Sequence, residues 1–221
     1  MGLPMGLQYS ITAIGSVILQ TAVNDMGSTY VAAVSAGSKI CMFMCCPFDA
    51  MGSTMATYGG QNVGAKRLDR VDQGLKACIK MVIIYALVAL AFSIVFGKQL
   101  ALLFVKKEQI ELIGYIYEFV VINAAFYIFL ALVNIVRFMI QGLGYSTFAI
   151  LAGICEMIAR SVAGFVLVPH FGFICVSLGS PLAWVCADLF LIPAYLWVMK
   201  QLRRKFGENK ISRAKSATAT I

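Results

Sequence analysis

The sequence predicts an all-α membrane protein of six transmembrane helices with short interfacial helices between them. Three observations carry that expectation. Of the 221 residues, 61% are hydrophobic and only 13% charged, about half the charge of a typical soluble domain. Six apolar stretches are long enough to cross a hydrocarbon core, which takes about 20 helical residues. The basic residues gather in segments of one topological parity, as they do on a cytoplasmic face.

The first helix covers about residues 4–23, carries no charge, and is closed by Asn24-Asp25-Met26-Gly27. Met1-Gly2-Leu3-Pro4 leads into it without a basic run, so no cleavable signal is expected. The second covers about 30–58. At ~1.5 Å per residue it exceeds the core thickness and must tilt, bend or protrude, and Pro47 supplies a reason to bend. It empties into Tyr58-Gly59-Gly60-Gln61-Asn62-Val63-Gly64-Ala65 and then Lys66, Arg67 and Arg70. Leu68, Val71 and Leu75 recur at helical spacing opposite Arg67, Asp69, Arg70, Asp72 and Lys76, which reads as a short amphipathic helix at the interface. The third helix covers about 77–96, and residues 100–105 read as a second interfacial segment. The fourth covers about 113–140, the fifth 147–168 and the sixth 173–199. Residues 200–221 are expected to form a disordered basic tail.

Orientation follows from the loops. The Gln61 loop carries Lys66, Arg67, Arg70 and Lys76; seven of the eighteen Lys and Arg residues follow Trp197; and Arg137 lies just ahead of the Gln141 loop. The opposite side has Lys98, Lys106 and Lys107. The positive-inside rule therefore puts both termini in the cytoplasm of a cell whose plasma membrane the chain crosses. A net charge of +8 spread this way suits a membrane surface, and no nucleic-acid partner is expected.

The seven cysteines lie in apolar runs without a CxxC, and His170 is the sole histidine. Cys41, Cys45 and Cys46 share a helix, but zinc asks for four converging ligands, so neither metal nor cofactor is expected. No Ser-His pair, Asp-Asp pair or metal constellation lies at membrane depth, so the chain is not expected to be an enzyme.

Ionisable side chains inside a membrane are costly, which makes each a candidate site. Lys39 and Asp49 share the second helix but stand roughly 15 Å apart along its axis and cannot pair. Asp49, just past Pro47, reads as lining a wet cavity or as held by a partner from another helix. Lys39 reads either as part of that pathway or as snorkelling outward. Glu156 and Arg160 stand at i and i+4, the spacing of a structural ion pair. Asp188 lies near the middle of the sixth helix, between Pro181 and Pro193, with no cation within a turn. Such a carboxyl is either protonated or met by a cation from another helix, and both suit a proton relay. Uncharged polar residues add a stripe: Asn123, Tyr127, Asn134 and Gln141 fall within about 40° of one another on the fourth helix, and Gln8, Thr12 and Gly15 share a face of the first. A stripe of this kind is either interhelical hydrogen bonding or the wall of a substrate cavity. Tyr9, Phe126, Tyr127 and Phe129 would give such a cavity aromatic surface for flat or cationic molecules.

Several of these motifs together resemble the multidrug and toxic compound extrusion (MATE) family. They are Gly2-Leu3-Pro4 opening a helix, Gln61-Asn62-x-Gly64-Ala65 closing the second, Gln141-Gly142-x-Gly144 closing the fourth, Glu156 with Arg160, and Phe171-Gly172 leading to Pro181-x-x-Trp184. The resemblance covers about residues 1–206. It implies one lobe of a twelve-helix, two-lobe transporter, its helices seven to twelve, and a topology with both ends cytoplasmic agrees with that place. It implies a secondary active antiporter that exports organic, often cationic, drugs or metabolites in exchange for protons or sodium ions by alternating access. The implied partners are small organic substrates, the lipid bilayer, and a missing amino-terminal lobe, in the same full-length chain or as a second subunit. Sodium-coupled members place acids on the first and fourth helices of this lobe. Here those stretches read Gln8-Tyr9-Ser10-Ile11-Thr12 and Tyr127-Ile128-Phe129-Leu130, without an acid, and the coupling ion, H+ or Na+, stays open. One alternative is a lipid-linked oligosaccharide flippase, for which only Lys39 and Arg160 offer cations to a pyrophosphate. Another is an inactive truncated fragment.

Overall fold

The computed structural model describes residues 2–218, with side chains from 6 to 207. Its elements are α1 (Gly2–Met26), α2 (Ser28–Gly64), α3 (Leu68–Ala101), α4 (Ile110–Ala125), α5 (Tyr127–Gly142), α6 (Ser146–Val162), a π-helical turn (Ala163–Leu167), α7 (Val168–Phe171) and α8 (Phe173–Thr218). They stack into six rods in the predicted order, since α4 with α5, and α6 with the π-turn and α7, each read as one interrupted rod. Four rods are long and apolar enough to cross a membrane by themselves: α2, α3, Ser146–Phe171 and Phe173–Gly207. The α4–α5 pair, bent by 51°, makes a fifth. The remaining rod, the 25-residue α1, packs along α6.

The expected interfacial helix at 68–76 is not separate from the third span. α3 runs unbroken for 34 residues, with Val71, Leu75, Cys78, Val82, Ala86, Ala89 and Ser93 on its buried side. The three-to-four spacing passes through Lys76-Ala77 without a helix breaker, so the amphipathic turns extend the span. Nor do residues 100–105 form a helix of their own. α3 ends at Ala101, and the carbonyl of that residue accepts hydrogen bonds from the amides of Phe104 and Val105 at 3.0 and 3.2 Å. The outward side of α3 shows Met81, Ile84, Leu87, Val88, Phe92 and Val95, which is the surface that lipid tails solvate.

Two sequence motifs turn out to be helix ends. Gly144 adopts φ +93, a left-handed conformation that glycine takes without penalty. Its amide bonds the Gln141 carbonyl at 3.0 Å, and the Tyr145 amide bonds that of Ile140 at 3.1 Å. At the end of α2 the left-handed residue is Lys66, with φ 59, rather than Gly64. There Asn62 does the capping: its side-chain amide donates to the Tyr58 carbonyl at 2.8 Å, and its own carbonyl accepts from the Arg67 amide at 2.8 Å. The fifth rod is interrupted at Ala163–Leu167, ahead of Pro169, which has no N–H for a helical ladder.

Small residues set the closest helix approaches. A Cβ on Gly142 would collide with the Ala56 carbonyl, which marks the contact of α5 with α2. A Cβ on Gly15 would meet the Met157 Cα at 2.9 Å, which marks α1 against α6. The core divides by depth. One cluster, with Phe48, Tyr127, Met139 and Leu191, fills the Gln61 end; another, with Val23, Ala33, Ile116 and Val176, fills the opposite end. The backbone of α8 runs on to Thr218, into the segment expected to be a disordered tail.

Candidate functional site

Two groups of polar residues stand out, one sealed inside the bundle and one open on a face of α2. The sealed group sits where α1, α5, α6 and α8 meet. Glu156 and Arg160 form the i,i+4 ion pair at 3.3 Å. Arg137 from α5 grips the other carboxylate oxygen of Glu156. Glu156, Arg160 and Arg137 are 2%, 5% and 5% exposed, so each charge depends on the others for compensation. The Arg160 guanidinium also donates to the Thr12 carbonyl at 3.4 Å, which ties in α1. A side-chain hydrogen bond from Gln141 to Gln8 lies between α5 and α1.

In the sequence Arg137 stands out only as a cation just ahead of the Gln141 loop. The signal that finds it is its place on the fourth-span stripe, three residues after Asn134 and four before Gln141, where an arginine needs a buried acid. Asp188 completes the group from α8. It is buried, neither carboxyl oxygen has a hydrogen-bond partner among the described residues, and the charge that reaches it is that of Arg137.

The stripe, read either as interhelical hydrogen bonding or as a cavity wall, is mostly internal and bonded across helices. Asn123 is 3% exposed and its side-chain amide donates to the carbonyls of Phe119 and Ser177, at 2.8 and 3.3 Å. Tyr127 is fully buried, edge-on to Phe48 at 5.7 Å. Gln8 is sealed against Gln141, and the Thr12 hydroxyl is buried. The 51° break at Phe126 divides the stripe between two helices, and both parts face the packed interior. Of the expected aromatic wall, Tyr9 and Phe129 keep exposed faces, and Phe126 stacks on Phe129 at 5.9 Å.

The open group runs along α2. Ser35, Ser38, Lys39, Met42, Cys46, Asp49, Ser53 and Thr57 recur at three and four residues, and all are exposed. Asp49 sits in this row, and its Oδ1 accepts a hydrogen bond from the Asn134 amide at 2.9 Å. The packed interior thus orients the carboxyl while leaving it open. Next along the row, Ser53 and Thr57 join Gly60, Gln141 and Ser146 around a cleft of about 380 Å³ between α2 and α5. Lys39, at the other end of the row, places its ammonium 6.0 Å from the centre of the Phe104 ring. The outward rows of the other long rods carry lipid-compatible side chains instead, such as Ile158 and Val162 on α6, Phe165 just after it, and Leu189, Ile192 and Leu196 on α8. Cys41, Cys45 and Cys46 are free thiols, and no metal-holding group of His, Cys, Asp or Glu occurs among the described residues.

Residues 4–166 match the family model described as MatE. The chain is 22% identical over 109 residues to a probable multidrug resistance protein, YoeA, of Bacillus subtilis (strain 168); the match covers 49% of this chain and 24% of that protein. In fold it is similar to a crystal structure of a MATE protein in complex with MaL6, with a TM-score of 0.81 and 19% identity, across 92% of this chain and 46% of that one. An inward-facing multidrug resistance MATE family transporter of the MOP superfamily is similar at a TM-score of 0.77 and 19% identity, across 92% of this chain and 47% of that one. A MOP superfamily transporter from Pyrococcus furiosus, with a binding pocket of reverse polarity, is similar at 0.71 and 17% identity, across 86% of this chain and 42% of that one. The chain spans about a quarter of the curated relative and just under half of each of these solved chains.

Proposed function

The chain belongs to the MatE family, and from that premise we propose that it forms one lobe of a membrane exporter. The exporter moves organic, often cationic, molecules in exchange for protons or sodium ions, and a second lobe completes it, either within a longer chain or as another subunit. The observation that carries this reading is the polar row on α2. A helix that presents Ser35, Ser38, Asp49 and Ser53 on an open face is poorly solvated by lipid. The α2 face is instead suited to a wet cavity between two lobes, and alternating access needs two such bundles rocking about a site near the midplane. Asp49, oriented by Asn134 and still exposed, supplies an acceptor for a cationic group or a coupling ion.

The test is export. Expressed with a matching amino-terminal lobe, the chain lowers accumulation of a cationic dye in cells, and Asp49→Asn raises it again. Dye levels that ignore Asp49→Asn remove Asp49 from the pathway. Reporter fusions at the two ends of the chain test the plasma-membrane topology, with both ends expected in the cytoplasm.

The flippase reading loses one of its two cations, because Arg160 is enclosed against Glu156 and only Lys39 stays open. A pyrophosphate cavity asks for more than one such cation.

A further inference from the structure

We propose that Asp188 is an internal proton-binding site of this lobe, and that its charge state decides which carboxylate Arg137 serves. The inference rests on the antiport reading for its use but not for its chemistry.

The geometry is a junction with two guanidinium groups and two carboxyls from three helices, Arg137 on α5, Arg160 and Glu156 on α6 and Asp188 on α8, with α1 joined through the Thr12 carbonyl on Arg160. All four residues are at least nine-tenths buried. Glu156 is saturated, with one oxygen on Arg137 and the other on Arg160. Asp188 is the spare acid. Both its oxygens are buried without a partner, and so is the Nε–H of Arg137.

A buried carboxylate without a hydrogen bond is costly, whereas a protonated carboxyl carries no charge to desolvate. The junction therefore has two self-consistent states. With a proton on Asp188, Arg137 stays on Glu156, as in this structure, and the group carries one net positive charge. When that proton leaves for the aqueous phase, the group becomes neutral and Arg137 gains a second acid to bond. Uptake and release add and remove one charge where four helices cross, which is what a proton-driven rearrangement requires.

The groups facing Asp188 are few. Arg137 acts on it from α5, and on α6 Glu156 pairs with both Arg137 and Arg160. Asp49 lies on α2 and is bonded to Asn134.

The test reads the proton itself. The chain is reconstituted in lipid bilayers, and its infrared spectrum is followed with pH for the carbonyl stretch of a protonated carboxyl. A band is expected that shifts when aspartate carboxyl carbons are isotopically heavy, survives Asp49→Asn, and is lost in Asp188→Asn. The isotope shift and the Asp49→Asn spectrum do not depend on Asp188→Asn folding. No aspartyl band at any pH at which the chain stays folded overturns the proposal, and so does a band that vanishes in Asp49→Asn. A failure of dye export with the band intact sinks the exporter reading and leaves the proton site standing.

Discussion

At the scale of single residues, Glu156 holds more than its spacing suggests. The i,i+4 pattern is legible in sequence because it needs only one helix. Arg137, 19 residues away, is not, because its partner is fixed by how α5 packs on α6. Removing the acid leaves Arg160 buried without an acid partner and Arg137 with Asp188 alone. Glu156→Gln is expected to destabilise the chain by about 3–5 kcal/mol, read as the loss in unfolding free energy in detergent. The ion pair between Asp72 and Arg203 is a useful contrast. Its side chains are 30% and 61% exposed, so Asp72→Asn is expected to cost about 1 kcal/mol or less. Equal losses in the two variants would show that burial does not govern these pairs. Asp49 and Asp188 were both legible as charges at membrane depth. Their different situations, one open on α2 and one sealed by α5 and α6, were not, because a single sequence does not state which face of a helix meets a neighbour.

At the scale of elements, the order of the rods was readable from apolar length, and the ends of α2 and α5 from the glycine motifs. What escaped was continuity. α3 absorbed its interfacial turns, since its buried row never breaks, and the fourth span split at Phe126, where no proline announces a bend. The glycines test how tightly the rods meet. Gly142→Ala would drive a methyl group into the Ala56 carbonyl and part α2 from α5, at an expected cost of about 1–3 kcal/mol. Gly64→Ala meets open space near the end of α2 and is expected to be neutral or to stabilise by up to about 1 kcal/mol. Thermal unfolding of the two variants side by side checks both. A tolerated Gly142→Ala would mean that the α2–α5 contact gives way easily.

At the scale of the whole molecule, the surface is divided. Most outward rows are dressed for lipid, and the row on α2 is not. Ser35→Leu extends lipid-compatible surface along α2. It is expected to leave the unfolding midpoint of the lone chain in bilayers unchanged or raised, and to reduce export when a second lobe is present. Full export in that variant would mean that Ser35 faces lipid in the assembled transporter. A second lobe that covers α2 is also expected to raise the unfolding midpoint of this one, measured with the two lobes co-purified.

The buried arginine–glutamate–arginine group bears on how the protein is made. A lone charge within a membrane helix costs up to about 2.5–3.5 kcal/mol at the insertion machinery, most at the helix centre. α5 would bring in Arg137, and α6 would bring in Glu156 and Arg160. Only residues 143–145 separate the two helices, so they can leave the translocation channel as one hairpin with Arg137 and Glu156 already cancelling each other. On this view the ion cluster is an insertion device before it is a structural one, and α5 and α6 form a single unit of biogenesis.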